Sequence, residues 1–213
     1  MRAGACMLAL AAALAGHAEI IDRIAVTVDK MVITESDIVR HLRIAAFLND
    51  EPLRLTMETK REAASRLVEQ VLVRREMEIS RYPAPDISEV EPMLQRLREQ
   101  WGGEDALRKA LADHHLTEQD LRQGLLLQLT MLRFIDYRFR PGITVTDEEV
   151  EQYYKTQVVP EAQAAGNQPP DLDTIRDTVE EILVQQRVDE ALDRWLEQAS
   201  SSARVRYREE AFK

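Results

Sequence analysis

The sequence predicts a mainly α-helical protein with a small β-sheet. From residue 57 onward, apolar residues recur at three- and four-residue spacing, which is typical of amphipathic helices. Short segments near both ends alternate apolar and polar residues instead, which is typical of strands. The chain has 213 residues and is 45% hydrophobic, enough to form the core of one ordinary domain or two small ones.

The N-terminus has the three-part pattern of an export signal. Arg2 supplies a positive charge, residues 3–15 are small or apolar, and Gly16-His17-Ala18 fits a small-x-small cleavage site. This pattern predicts a signal peptide over residues 1–18, cut after Ala18, and an exported protein. The alternative is a buried helix or a membrane anchor, but the run is shorter than the ~20 residues of a membrane-spanning helix, so we expect no stable membrane span.

The first elements after the signal are predicted to be a hairpin and a helix. Ile24, Val26 and Val28 alternate with polar or small residues, Asp29-Lys30 interrupts the pattern, and the β-branched residues of 31–33 follow. Thr34 and the acidic residues after it then favour the start of a helix that extends to about Leu48.

Helices are predicted for most of the remaining chain. The clearest covers Met57 to Arg81, where one apolar stripe is opposed by a charged face. Capping boxes at Ser88-x-x-Glu91 and Thr146-x-x-Glu149 predict two helix starts. The helix that starts at Ser88 is predicted to end at Trp101-Gly102-Gly103. A short helix over Glu104 to Asp113 follows, and then a long helix from Thr117 to about Phe139, which stops at Pro141-Gly142.

The chain is predicted to close with a linker, a helix and a strand. Residues 159–170 contain three prolines and a glycine, which indicates a linker, and Asp171 can cap a final helix that extends to about Ser200. Residues 203–208 then alternate in strand fashion. Because an isolated hairpin is marginal in water, we expect this strand to pair with the N-terminal hairpin.

The order of these elements resembles the SurA-type periplasmic folding factors, which are grouped with the PpiC or parvulin-type prolyl isomerases. The residues that carry the resemblance are Arg23 to Asp37, which are similar to the family's opening strand-turn-strand-helix, and Ile143 to Tyr154, which are similar to its "I-x-V-S/T-D-E-E-x-x-x-Y-Y" helix. It implies that residues 19–158 form a helical chaperone module and that residues 171–213 complete it.

The chain departs from the family where a parvulin domain is commonly inserted. Residues 159–170 are too few for the ~40 residues that a self-supporting domain requires. The resemblance therefore implies the chaperone module without the isomerase, and we expect no enzyme. His114 and His115 are adjacent, so on a helix they would point about 100° apart and could not share a metal. The sequence accordingly predicts no catalytic residue, no metal site and no cofactor.

The long helix is apolar over more than one face. If the domain leaves part of this surface exposed, it would suit loose binding of extended chains. The predicted client-binding residues are Leu126, Leu127, Met131, Phe134 and Tyr137. The alternative is a core helix, or a helix buried in a homodimer.

The sequence thus predicts an ATP-independent periplasmic chaperone that binds unfolded polypeptides or outer-membrane protein precursors. Acidic residues outnumber basic ones by 38 to 28, so nucleic acid is not an expected partner. One alternative is a scaffold or dimeric assembly factor for a single partner. Another is a degenerate prolyl isomerase. A chaperone should bind many unrelated chains weakly, whereas a scaffold should bind one partner tightly.

Overall fold

The computed structural model describes residues 22–213 and confirms the predicted fold class, mainly α with a small sheet. The signal peptide predicted over residues 1–18 lies outside the described residues. The helices are α1 (Glu35–Asn49), α2 (Met57–Ser80), α3 (Glu91–Trp101), α4 (Glu104–Asp113), α5 (Glu118–Arg138), α6 (Asp147–Tyr153), α7 (Val159–Ala164) and α8 (Leu172–Ser202). The strands are β1 (Ile24–Val28), β2 (Met31–Thr34) and β3 (Val205–Tyr207).

The three strands form one antiparallel sheet in the order β2-β1-β3, so the two ends of the described chain meet as predicted. Val28 pairs with Met31 across the Asp29-Lys30 turn. Asp29 has a φ of 52°, a left-handed conformation that aspartate tolerates better than most residues. Its carboxylate and its N–H each form a 3.1 Å hydrogen bond with the backbone of Arg204. These bonds join the hairpin to β3.

The face predicted for β1 is only partly correct, because a bulge interrupts the alternation. The register shifts between Ile24 and Val26, which leaves Ala25 as an extra residue in the strand. Ala25 and Val26 are both fully buried, whereas Ile24 is 43% exposed. A bulge of this kind depends on strand pairing, which the local pattern does not show.

One predicted capping box is correct and the other is displaced. The box at Thr146 forms as expected. Ahead of α3, however, the cap is Asp86 rather than Ser88. The Asp86 carboxylate accepts the N–H of Ser88, and Glu89 accepts the N–H of Asp86. Asp86 and Glu89 have the same three-residue spacing as Ser88 and Glu91, and aspartate caps as well as serine, so the earlier pair starts a 3₁₀ turn that leads into α3.

The predicted linker is half helical. A π-helical segment over Tyr154–Val158 joins α6 to α7, which occupies residues 159–164. Pro160 directly follows the π-helical segment, so it lies inside a continuous helical run and its missing N–H leaves one helical hydrogen bond unmade. The irregular connection therefore shortens to about residues 165–171. The Tyr154 hydroxyl donates to the carbonyl of Pro170 over 2.7 Å and fixes this connection to α6.

Among residues 22–213, buried side chains form three clusters. The first lies under the sheet, against α2 and the chain end. The second joins α1, α3, α4 and α5, and the third lies between the C-terminal halves of α2 and α5, against Trp195 of α8. Helices α1 and α5 cross at Gly124, where an added Cβ would lie 2.8 Å from Cγ2 of Ile44. This close crossing forms one side of the site described next.

Candidate functional site

A groove runs between α1, α2 and α5 and is bordered by β2. Its central compartment has a volume of about 470 Å³, within the range of ligand pockets. Each of the four elements contributes apolar side chains to it. These are Met31, Val32, Ile33, Ile44, Ala45, Leu67, Val71 and Leu127.

The apolar stripe of α2 explains how one helix serves both the core and the groove. Val68 and Leu72 are buried in the cluster under the sheet. Leu67 and Val71 lie at the margin of the same stripe and are only partly buried, so they pack against this cluster on one side and line the groove on the other. The apolar stripe of α2 is wider than the area that the sheet covers. Its uncovered margin faces the groove.

Polar groups in the central compartment can pair with a peptide backbone. Gln70, Gln123 and Gln128 contribute amides, and each amide can both donate and accept hydrogen bonds, as a peptide group does. The Oε1 atom of Gln70 is buried and has no hydrogen-bond partner among the described residues. Burial and the nearby Arg66 lower the pKa of His41 from 6.5, so its imidazole is neutral at pH 7 and offers one donor and one acceptor.

Two further compartments extend the groove at its ends. The compartment beside the hairpin turn has a volume of about 550 Å³ and shares Met31, Val71 and Arg74 with the central one. The opposite compartment has a volume of about 370 Å³ and includes Met131. Because neighbouring compartments share lining residues, the three form one elongated groove.

Strand β2 gives the groove an exposed apolar border. It is an edge strand, and no strand of residues 22–213 pairs with its outer side. Met31 is 49% exposed and Val32 is 47% exposed, and both line the groove. An edge strand has free backbone donors and acceptors to which an extended chain can add.

The predicted client-binding residues of α5 are divided among different environments. Leu127 lines the central compartment and Met131 lines the compartment farthest from the hairpin. Leu126 packs against the cluster of α1, α3, α4 and α5. Phe134 is 0% exposed and its ring centroid is 4.7 Å from that of Trp195, so its prediction as a surface binding residue is wrong. Tyr137 is 51% exposed but stacks on Tyr82, away from the groove lining.

Sequence reasoning missed the contributions of β2, α1 and α2 to this site. Those residues are far apart in the chain, and each fits an ordinary strand or helix pattern. The one local signal is Gly124, a glycine inside a helix, which often marks a close approach of another element. It indicates a helix crossing but not a groove.

His114, the first residue of the histidine pair, has a structural role. His114 caps α4, with its Nδ1 2.8 Å from the carbonyl oxygen of Ala110, and its ring lies edge-on to Phe47. Within residues 22–213, no three His, Cys, Asp or Glu side chains are grouped so that they could hold a metal ion. None of the helices in this range has the length and apolarity required to cross a membrane.

Comparison with known proteins adds no assignment. A scan against protein-family models found no match, and a search of curated proteins found none either.

Proposed function

We propose that this chain is an ATP-independent periplasmic chaperone that holds unfolded polypeptides, including outer-membrane protein precursors, in the groove between α1, α2 and α5. One observation carries the proposal: a single elongated groove combines apolar side chains, amide side chains and an edge strand. The export signal predicted over residues 1–18 and the resemblance to SurA-type folding factors support the compartment and the class of client.

The lining suits binding that tolerates many sequences. Apolar client side chains would gain about 25 cal/mol for each Å² of apolar surface removed from water, whatever their exact shape. Gln70, Gln123 and Gln128 would pair with the client's main chain, which every polypeptide has. Neither contribution involves a covalent step. Binding would therefore be broad and reversible.

Loss of function without loss of stability tests the site. In a variant that combines Leu127→Ser and Met31→Ser, we expect protection of an aggregating client, followed by light scattering, to be lost. The melting temperature should stay within a few degrees, because neither side chain is fully buried. The matched control combines Leu132→Ser and Ile79→Ser, which are 56% and 67% exposed and do not line the groove. Full protection by the folded groove variant would refute the proposal.

The control also tests the alternative function, a scaffold for one fixed partner. Three large apolar side chains outside the groove are more than half exposed, namely Leu132, Ile79 and Tyr137. Exposed apolar groups of this size favour a second surface that contacts another protein. If the control variant, rather than the groove variant, loses binding to a single protein partner, the scaffold function would be preferred. Tight binding of one protein, with no affinity for unrelated unfolded chains, would support the same conclusion.

A further inference from the structure

We propose that the groove selects extended segments in which carboxylate side chains flank an apolar stretch, with the carboxylates in the compartment beside the hairpin turn. This inference rests on the proposed function and specifies its client chemistry. The occupant is thus an unfolded acidic and apolar segment, rather than any apolar chain.

The first observation is an excess of positive charge in that compartment. Its charged lining residues are Asp29, Lys30, Arg74, Arg75, Glu78 and Arg204. Arg75 forms an ion pair with Asp29, with 2.6 Å between the nitrogen and the oxygen. No carboxylate of the described residues lies within ion-pair distance of Lys30, Arg74 or Arg204. These three cations are therefore available to a ligand.

The charge of this compartment is opposite in sign to that of the whole chain. The chain has a net charge of −10, so at long range it repels acidic polymers. Elsewhere some arginines are neutralised by neighbours, as Arg98 is by Glu91, Glu104 and Glu118, and others, such as Arg54 and Arg96, are not, so what distinguishes these three cations is that they line one compartment. Glu78 also lines the compartment without an ion pair, and the three unpaired cations outnumber it, so the compartment is a local positive site on an acidic protein. Sites of this kind favour a ligand of opposite charge.

The second observation is the position of these cations relative to the apolar lining. Arg74 borders both the hairpin-side compartment and the central compartment, together with Met31 and Val71. A client whose apolar side chains occupy the central compartment would therefore place its next residues beside the cations. The opposite compartment is lined by both Arg66 and Glu69, so it offers no comparable excess of one charge. Only the hairpin side discriminates by charge.

Fluorescence anisotropy with three labelled peptides tests the inference. The peptides share one apolar core, which is flanked by serines, by aspartates on the amino side, or by aspartates on the carboxyl side. We expect one aspartate peptide to bind about fivefold to tenfold more tightly than the serine peptide, with the advantage reduced in ~0.5 M salt. A variant combining Lys30→Gln, Arg74→Gln and Arg204→Gln should lose this advantage and keep its affinity for the serine peptide.

The control variant combines Arg54→Gln, Arg96→Gln and Lys109→Gln. It makes the same change in net charge at exposed side chains that do not line the groove, and it should retain the preference for the aspartate peptide. Equal binding of all three peptides by the wild type would overturn the inference but leave the proposed function intact. Failure to bind any of them would overturn both. Loss of the preference in the control variant would attribute it to net charge and overturn the local site.

Discussion

At the scale of single residues, α5 shows how neighbours on one helix take different roles. Phe134 is 0% exposed, and it packs against Phe139 and Trp195. The guanidinium of Arg138 lies over all three of these rings. Leu132, two positions earlier, is 56% exposed. The sequence shows that both residues are apolar, but it does not show which of them the other helices cover.

We therefore predict that Phe134→Ala lowers the free energy of unfolding by about 3–5 kcal/mol, because it removes a buried aromatic side chain and leaves a cavity. Leu132→Ala is the matched control on the same helix and should change stability by no more than ~0.5 kcal/mol. Urea unfolding followed by circular dichroism measures both. Equal effects of the two substitutions would contradict the burial described for α5.

At the scale of elements, the chain end contributes more than a strand. Within β3, Val205 is partly buried and Tyr207 is 40% exposed, so the apolar face predicted for this strand is modest. Beyond it, Ala211 and Phe212 are buried in the cluster under the sheet. Phe212 is 1% exposed and packs beside Tyr207, with 6.2 Å between ring centroids. Much of the burial at this end thus comes from a tail for which the sequence offers no periodic pattern.

This arrangement predicts that Phe212→Ala destabilises the protein by about 3–5 kcal/mol, although it changes the penultimate residue. Deleting residues 203–213 should cost at least as much, because it also removes the backbone partners of β1. Lys213→Ala, at the exposed last residue, is the control and should leave the thermal midpoint unchanged. If truncation has no effect on the midpoint, the two ends of the chain do not depend on each other for stability.

At the scale of the whole molecule, ion pairs link elements that are distant in sequence. Hydrogen bonds from Arg98 and Arg122 lower the pKa of Glu91 from 4.5, and this joins α3 to α5. The backbone N–H of Thr146 and the side chain of Arg187 lower the pKa of Glu149 in the same way, and this joins α6 to α8. Both carboxylates are thus stabilised in their charged form by folding.

The sign of the pH effect follows from these lowered pKa values. A carboxyl group with a lower pKa when folded binds more protons in the unfolded chain, so its contribution is complete above the unfolded value of 4.5 and is lost as pH falls through the folded value. We predict that the melting temperature declines slightly as pH falls through about 6.5, because the lowered pKa of His41 means that the unfolded chain binds that proton first, and that it declines more steeply below about pH 5.5 as the two carboxylates protonate. Glu91→Gln should reduce this decline, whereas Glu210→Gln, at an exposed site outside these pairs, should not. A decline of equal size in the Glu91 variant would contradict the assignment.

The sequence by itself determined the local elements. The signals for these elements act over a few neighbouring residues, so their effects are visible in the order of residues. They include the threonine caps at residues 117 and 146, the glycines after Trp101, and the alternation around the Asp29-Lys30 turn. The bulge at Ala25 and the helical half of residues 159–170 were not visible in this way. The tertiary structure alone decided the groove, the burial of Phe134 and the insertion of Phe212. These features depend on which elements pack together, and a wide apolar stripe fits several packing arrangements equally well until its neighbours are in place.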